Sequence, residues 1–122
     1  MKPRTIYASV VTYKKLRRVE DTEDPGNIVF ASPIVDVDCS LEFWREALLA
    51  ARRIVEEFER EGVVKSVFLK WSGRGVHVHI HERAFSREVL EKHNPLDVAF
   101  AIVEYVCRRV RDDILEIASR AV

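Results

Sequence analysis

The sequence predicts an α+β fold: a small mixed or antiparallel sheet covered by a hairpin-type pair of helices, in one domain spanning residues 1–122. Three observations carry this. Two strand-like runs stand together ahead of the first helix. Two more flank a short glycine-rich turn, which joins them as a hairpin. Helical periodicity is gathered into long segments instead of alternating with each strand, so local strand pairing and segregated helices are expected.

The first run is "TIYASVVT", Thr5 to Thr12, whose β-branched and aromatic residues read as a strand. The basic "YKKLRR" (Tyr13 to Arg18) follows, then "VEDTEDPGN" (Val19 to Asn27), an acidic piece that its Pro-Gly pair marks as a loop. "IVFASPIVDVD" (Ile28 to Asp38) is extended, with a break at Ser32-Pro33, because proline cannot donate to a sheet ladder. The first helix has Ser40 as its cap and Glu42 in its first turn. Trp44, Ala47, Leu48, Ala51, Ile54, Val55 and Phe58 form its apolar stripe. Arg45, Glu46, Arg52, Arg53, Glu56 and Glu57 fill the wet side, and Gly62 ends the helix.

"VVKSVFLKW" (Val63 to Trp71), "SGRG" and "VHVHIHE" read as strand, turn and strand, the last with strict alternation. A short helix is expected near Ser86 to Leu90. Asn94-Pro95 then supplies a cap with proline at the first helical position. Ala99, Ile102, Val103, Val106, Val110, Ile114 and Ile117 keep helical spacing to near the end of the sequence.

Composition narrows the class. The chain is 48% hydrophobic and 33% charged, which describes a globular domain with a real core. Its formal net charge is zero, so bulk electrostatics give no sign of a nucleic-acid partner, and any such binding needs a local patch. No apolar run is long enough to span a bilayer and no signal-peptide core forms, so a cytoplasmic protein without a membrane partner is expected. Cys39 and Cys107 form no CxxC pair and read as buried thiols. The absence of glutamine, only two asparagines and many charges fit a thermophile.

Three constellations can carry chemistry. Asp36 and Asp38 lie two apart on a strand, so both point to one face, roughly 7 Å apart. Paired carboxylates repel in apolar surroundings unless a cation neutralises them. Their spacing suits Mg2+ or Mn2+, which bind one or two carboxylates together with substrate phosphates. Flanking Ile34, Val35 and Val37 favour a buried strand and hence a metal site; an exposed strand end with two solvated acids is the alternative. The second constellation is the turn Ser72, Gly73, Arg74 and Gly75. Its glycines permit close backbone approach and an anion-binding nest, and Arg74 offers a bidentate phosphate donor; a plain hairpin turn is the alternative. After it, His77, His79 and His81 share one face. They fit a Zn2+ or Fe2+ chelate, a phosphate contact, or a wet polar face. The third is "YKKLRR", either a phosphate grip or a solvated loop opposite the acids of "EDTED". The charges of "CRRVRDD" (Cys107 to Asp113) read as the wet face of the last helix.

In combination these pieces are more specific than alone. "IVDVDC", then a helix, a strand and "SGRGVH" on the next strand, resembles the archaeo-eukaryotic primase superfamily, and within it the DNA primase small catalytic subunit. The resemblance covers about Ile28 to Glu82. It implies a primase catalytic-core-like fold and a nucleotidyl transferase that makes primers from NTP or dNTP on a single-stranded nucleic-acid template. It further implies that Asp36 and Asp38 are catalytic and hold divalent metal, while Ser72, Gly73, Arg74, Gly75 and His77 bind the nucleotide phosphates. Metal ions in such a site activate a 3′-hydroxyl and stabilise the leaving pyrophosphate. Lys70 could assist by charge. His79 and His81 are not motif positions of the family.

One part of the family pattern is not found: a third motif, a further aspartate on a later strand. Asp97, Asp112 and Asp113 lie in a helical pattern instead. Two expectations follow. Either the sequence is a piece of a larger enzyme, with the third carboxylate beyond Val122 or on a partner primase subunit, or it is a reduced relative that binds nucleotide without efficient catalysis. A non-catalytic accessory module of a replication or repair complex, and a metalloprotein using the histidine row, are the rival readings.

Overall fold

A computed structural model describes residues 2–3 and 8–121. Its elements run β1 (Val11–Tyr13), β2 (Ile28–Ala31), β3 (Ile34–Asp38), α1 (Trp44–Arg60), β4 (Val67–Trp71), β5 (Gly75–Ile80), α2 (Arg87–Lys92) and α3 (Pro95–Ser119), with short 3-10 turns between several of them. The fold is α+β, and both small sheets are antiparallel. Among the described residues no helix is long and apolar enough to cross a membrane.

β1 and β2 form a two-stranded hairpin, and β3, β5 and β4 form a three-stranded sheet in that order. Among its described residues, the first expected strand is found only at its end. Thr5 to Tyr7 fall outside the described residues, Ala8 to Val10 are not in a strand, and pairing starts at Val11. The break expected at Ser32-Pro33 is present. Pro33 is buried between β2 and β3, its carbonyl accepts from the amide of Ile80, and the Ser32 hydroxyl donates to the Ile80 carbonyl.

Helices α1 and α3 pack together against one face of the larger sheet. The core they share with it contains Val35, Ala51, Ile54, Phe58, Val76, Val78, Ile80, Val106 and Val110. Every second residue of β5 (Val76, Val78, Ile80) faces this core, as the strict alternation requires. Among the described residues the opposite face carries no helix. Edge strand β4 lies beyond the helix layer, so Leu69 and Trp71 stay half exposed although they pair with the core positions Val78 and Val76.

The caps explain where the helices begin and end. Asn94 accepts from the amide of Leu96, and Pro95 occupies the first turn of α3, as expected. Gly62, at φ 88°, lets the chain leave α1, and the Val63 amide returns to the Phe58 carbonyl. Ser40 differs from expectation. It precedes a 3-10 turn, Leu41–Phe43, and its hydroxyl makes no capping bond, because the chain enters α1 through that turn.

Two further expectations are corrected. Cys39 is half-buried and Cys107 exposed, both as free thiols, because Cys107 borders an open recess between α1, α3 and β3 and Cys39 follows the end of β3. Glu57, placed by periodicity on the wet side of α1, is 1% exposed. Its carboxylate is buried because three guanidinium groups meet it: Arg109 at 2.9 Å, Arg53 at 3.0 Å and Arg60 at 3.6 Å. Arg109 belongs to α3, so this cluster clamps the two helices together. Arg53 reinforces it by reaching Asp113 of α3 at 2.6 Å.

Candidate functional site

The central position of β5 decides the site. β3 precedes α1 in the chain but pairs with β5, and this brings the two motif segments side by side. Asp36 lies opposite His77 and Asp38 opposite Gly75, while Lys70 of β4 lies opposite His77 from the other side. Directly paired residues share a face. Asp36, His77 and Lys70 therefore form one row across all three strands on the helix-free face. Ile34, His79 and Phe68 form the next row, and Asp38 with Gly75 the row nearest the turn.

His77 Nε2 lies 3.1 Å from Asp36 Oδ1, with the two side chains 28% and 53% exposed. Among the described residues this is the one polar side-chain contact between the two motifs, beside the apolar packing of Val35 and Val37 with Val76. Lys70, peripheral in the sequence reading, is a full member of the row. The burial argument for the aspartate pair does not hold. β3 is an edge strand with Val35 in the core, whereas Asp36 and Asp38 alternate outward and are exposed. Their surroundings are those of the solvated alternative, and no burial cost demands a cation.

The turn also differs from the expected cradle. The Ser72 amide and hydroxyl both donate to the Gly75 carbonyl, at 3.0 and 3.2 Å, and the hydroxyl accepts from the Arg74 amide at 3.4 Å. Gly73 has φ +90°, a conformation that disfavours any side chain. Gly75 is buried, and a β-carbon there would overlap the carbonyl oxygen of Val37. The close approach that glycine permits here is thus strand against strand, not backbone against ligand. The Arg74 carbonyl accepts from the Cys39 amide at 3.1 Å, which ties the turn to the end of β3. Arg74 is exposed, and its side chain makes no ion pair among the described residues.

The three-histidine row is not formed. β5 ends at Ile80, and His81 instead heads the 3-10 turn Glu82–Ala84, accepting from the Arg83 amide at Nδ1. His79 stacks on Phe68, with ring centroids 4.9 Å apart and planes 15° from parallel, and sits 5.8 Å from the ring of His77. Its Nε2 is buried without a hydrogen-bond partner. Burial, then the neighbouring His77 and Lys70 charges, hold the His79 imidazole below its ordinary pKa, so the neutral ring is favoured. Phe68 is absent from the sequence reading. The signal for it is parity in "VFLKW": Phe68 and Lys70 are two apart and so share a face.

Among the described residues no group of three or more His, Cys, Asp or Glu side chains is arranged to hold a metal ion. Asp36 and Asp38 alone fit the minimal protein contribution to a Mg2+ or Mn2+ site, in which substrate phosphates and water supply the other oxygens. The basic segment after β1 is used internally. Lys15 lies 3.9 Å from Asp21, Lys14 reaches the Gly26 carbonyl, and the Asp21 carboxylate accepts from the Arg17 and Arg18 amides. These backbone hydrogen bonds hold the Asp21 carboxyl below the usual range. This matches the loop-against-acids alternative. In comparisons with models of known families, with curated proteins and with solved structures, nothing matches this chain.

Proposed function

We propose that this chain is a primase-like nucleotidyl transferase domain that binds a divalent cation and an NTP on the open face of its larger sheet. One observation carries the reading. The strand bearing Asp36 and Asp38 pairs directly with the strand that follows "SGRG", so that carboxylates, His77, Lys70 and the Arg74 turn lie at one end of one face. Asp36 and Asp38 would hold Mg2+ or Mn2+, which would neutralise the phosphates and polarise the reacting oxygens. Arg74, His77 and Lys70 supply positive charge or N–H donors to the triphosphate. Ser72 and Gly75 shape the turn that presents Arg74, and Gly73 gives it the required backbone geometry.

In calorimetry, Mn2+-dependent ATP binding should weaken at least about 100-fold in the Asp36→Asn, Asp38→Asn double variant, the loss of two metal ligands. Thermal stability should stay close to wild type, because both residues are exposed. Equal Mn2+-dependent affinity in variant and wild type would overturn the proposal.

A second reading has its own support: among the described residues no third metal-ligating side chain is grouped with Asp36 and Asp38. On that reading the domain binds nucleotide or template as an accessory module. A primer-synthesis assay on single-stranded DNA separates the two, since extension products made by this chain alone reject the accessory role.

A further inference from the structure

The stacked pair Phe68 and His79 has no part in the phosphate and metal reading. It lies one row farther along β5 from Asp36 and His77, on the same face. Beside it is a recess of about 340 Å³. Phe68, Lys70 and His79 of the larger sheet, Thr12 and Phe30 of the β1–β2 hairpin, and the carboxylate-bearing Glu82 all line it. Two features beside this recess point to a flat aromatic ligand. Phe68 is 46% exposed although it is aromatic and lies on a sheet. A ring already stacked at 4.9 Å shows that this side chain is held flat, ready to present its other face.

We infer that Phe68, His79 and this recess form a nucleobase subsite for the NTP bound at the Asp36–His77 row. The inference rests on the nucleotide reading above. Spacing supports it. From Gly75 to His79 along β5 is about 13 Å, room for sugar and phosphates to run from the turn to the recess. Lys70 lies between them and lines both. The base stacks on the face of Phe68 that His79 leaves free, with His79 backing the platform from behind. Stacking of this kind tolerates every base.

The test uses the whole chain, isotope-labelled, with two ligands that divide the nucleotide in two. Adenosine has no phosphate, and Mn2+ with tripolyphosphate has no base. Adenosine should shift the amide signals of Phe68, Lys70 and His79, and Phe68→Leu should abolish those shifts. Phe68→Leu should also weaken Mn2+-dependent ATP binding about 10-fold while leaving tripolyphosphate binding unchanged, and Phe68→Trp should retain it. Adenosine that leaves these signals unmoved overturns the subsite, even if tripolyphosphate binds and the phosphate reading stands. Adenosine shifts without tripolyphosphate binding keep the subsite and remove the phosphate reading. An ATP affinity untouched by Phe68→Leu also overturns the subsite.

Discussion

Gly75→Ala should destabilise the domain by about 3 kcal/mol or more, a fall in Tm on the order of 10 °C. Gly75 starts β5 opposite Asp38, where β3 and β5 approach so closely that a β-carbon would overlap the Val37 carbonyl oxygen. That atom is backbone in a paired strand, so no side-chain rotation relieves the clash. Either β3 moves off β5 or the pairing at the turn is lost. The displaced strand carries Asp36 and Asp38, so nucleotide binding should be lost even at temperatures where the variant is folded. Gly62→Ala is the control. Nothing lies within contact of a β-carbon there, and only the left-handed φ of 88° opposes it, at about 1 kcal/mol. Thermal unfolding of both variants decides the matter, and a Gly75→Ala protein as stable as wild type would mean that β3 and β5 are not so closely paired.

Glu57→Ala should lower Tm by an amount on the order of 10 °C, more than the loss of any exposed ion pair. The substitution leaves Arg53, whose side chain is 16% exposed, without its partner on α1, and removes the link from α1 to Arg109 of α3. Glu57→Gln keeps the shape but only one acceptor oxygen, so at most one of the bonds from Arg109 and Arg53 survives, and it removes the charge without opening a cavity. The effect has a pH signature. Hydrogen bonds from Arg109 and then Arg53 hold the Glu57 carboxyl below its ordinary 4.5, against the opposing effect of burial. A carboxyl lowered in the folded state stabilises above its unfolded value, and that contribution is lost as pH falls below 4.5 through the folded value. The Tm gap between wild type and Glu57→Gln should therefore narrow on acidification below pH 4.5. A gap constant with pH would show that the carboxylate charge is not what joins the helices.

Local chemistry made much of this fold readable. Strict alternation identified β5 and its core face, Asn94-Pro95 marked the start of α3, and Gly62 marked the exit from α1. The failures share a cause, which is long-range partnership. Glu57 looks solvent-facing in a helical projection, and its burial depends on Arg109, half the chain away. Asp36 and Asp38 look buried because valines and isoleucine flank them, yet β3 is an edge whose outward face has no cover. The glycines of "SGRG" suggested ligand approach, whereas Gly75 answers to Val37 across a strand pair that no local pattern announces. The histidine periodicity continued past the point where β5 stops, so His81 left the row. Of the candidate site, the residue types were legible. Their convergence was not, because it depends on β3 choosing β5 as its neighbour.

The central claim is that a divalent cation and nucleotide sit together on the open face at Asp36, Asp38 and His77. Paramagnetic broadening by Mn2+ reads this location directly. With ATP present, substoichiometric Mn2+ should broaden the amide signals of Asp36, Asp38, Gly75 and His77 before those of any other residues. Broadening centred elsewhere, or none that depends on ATP, would contradict the account.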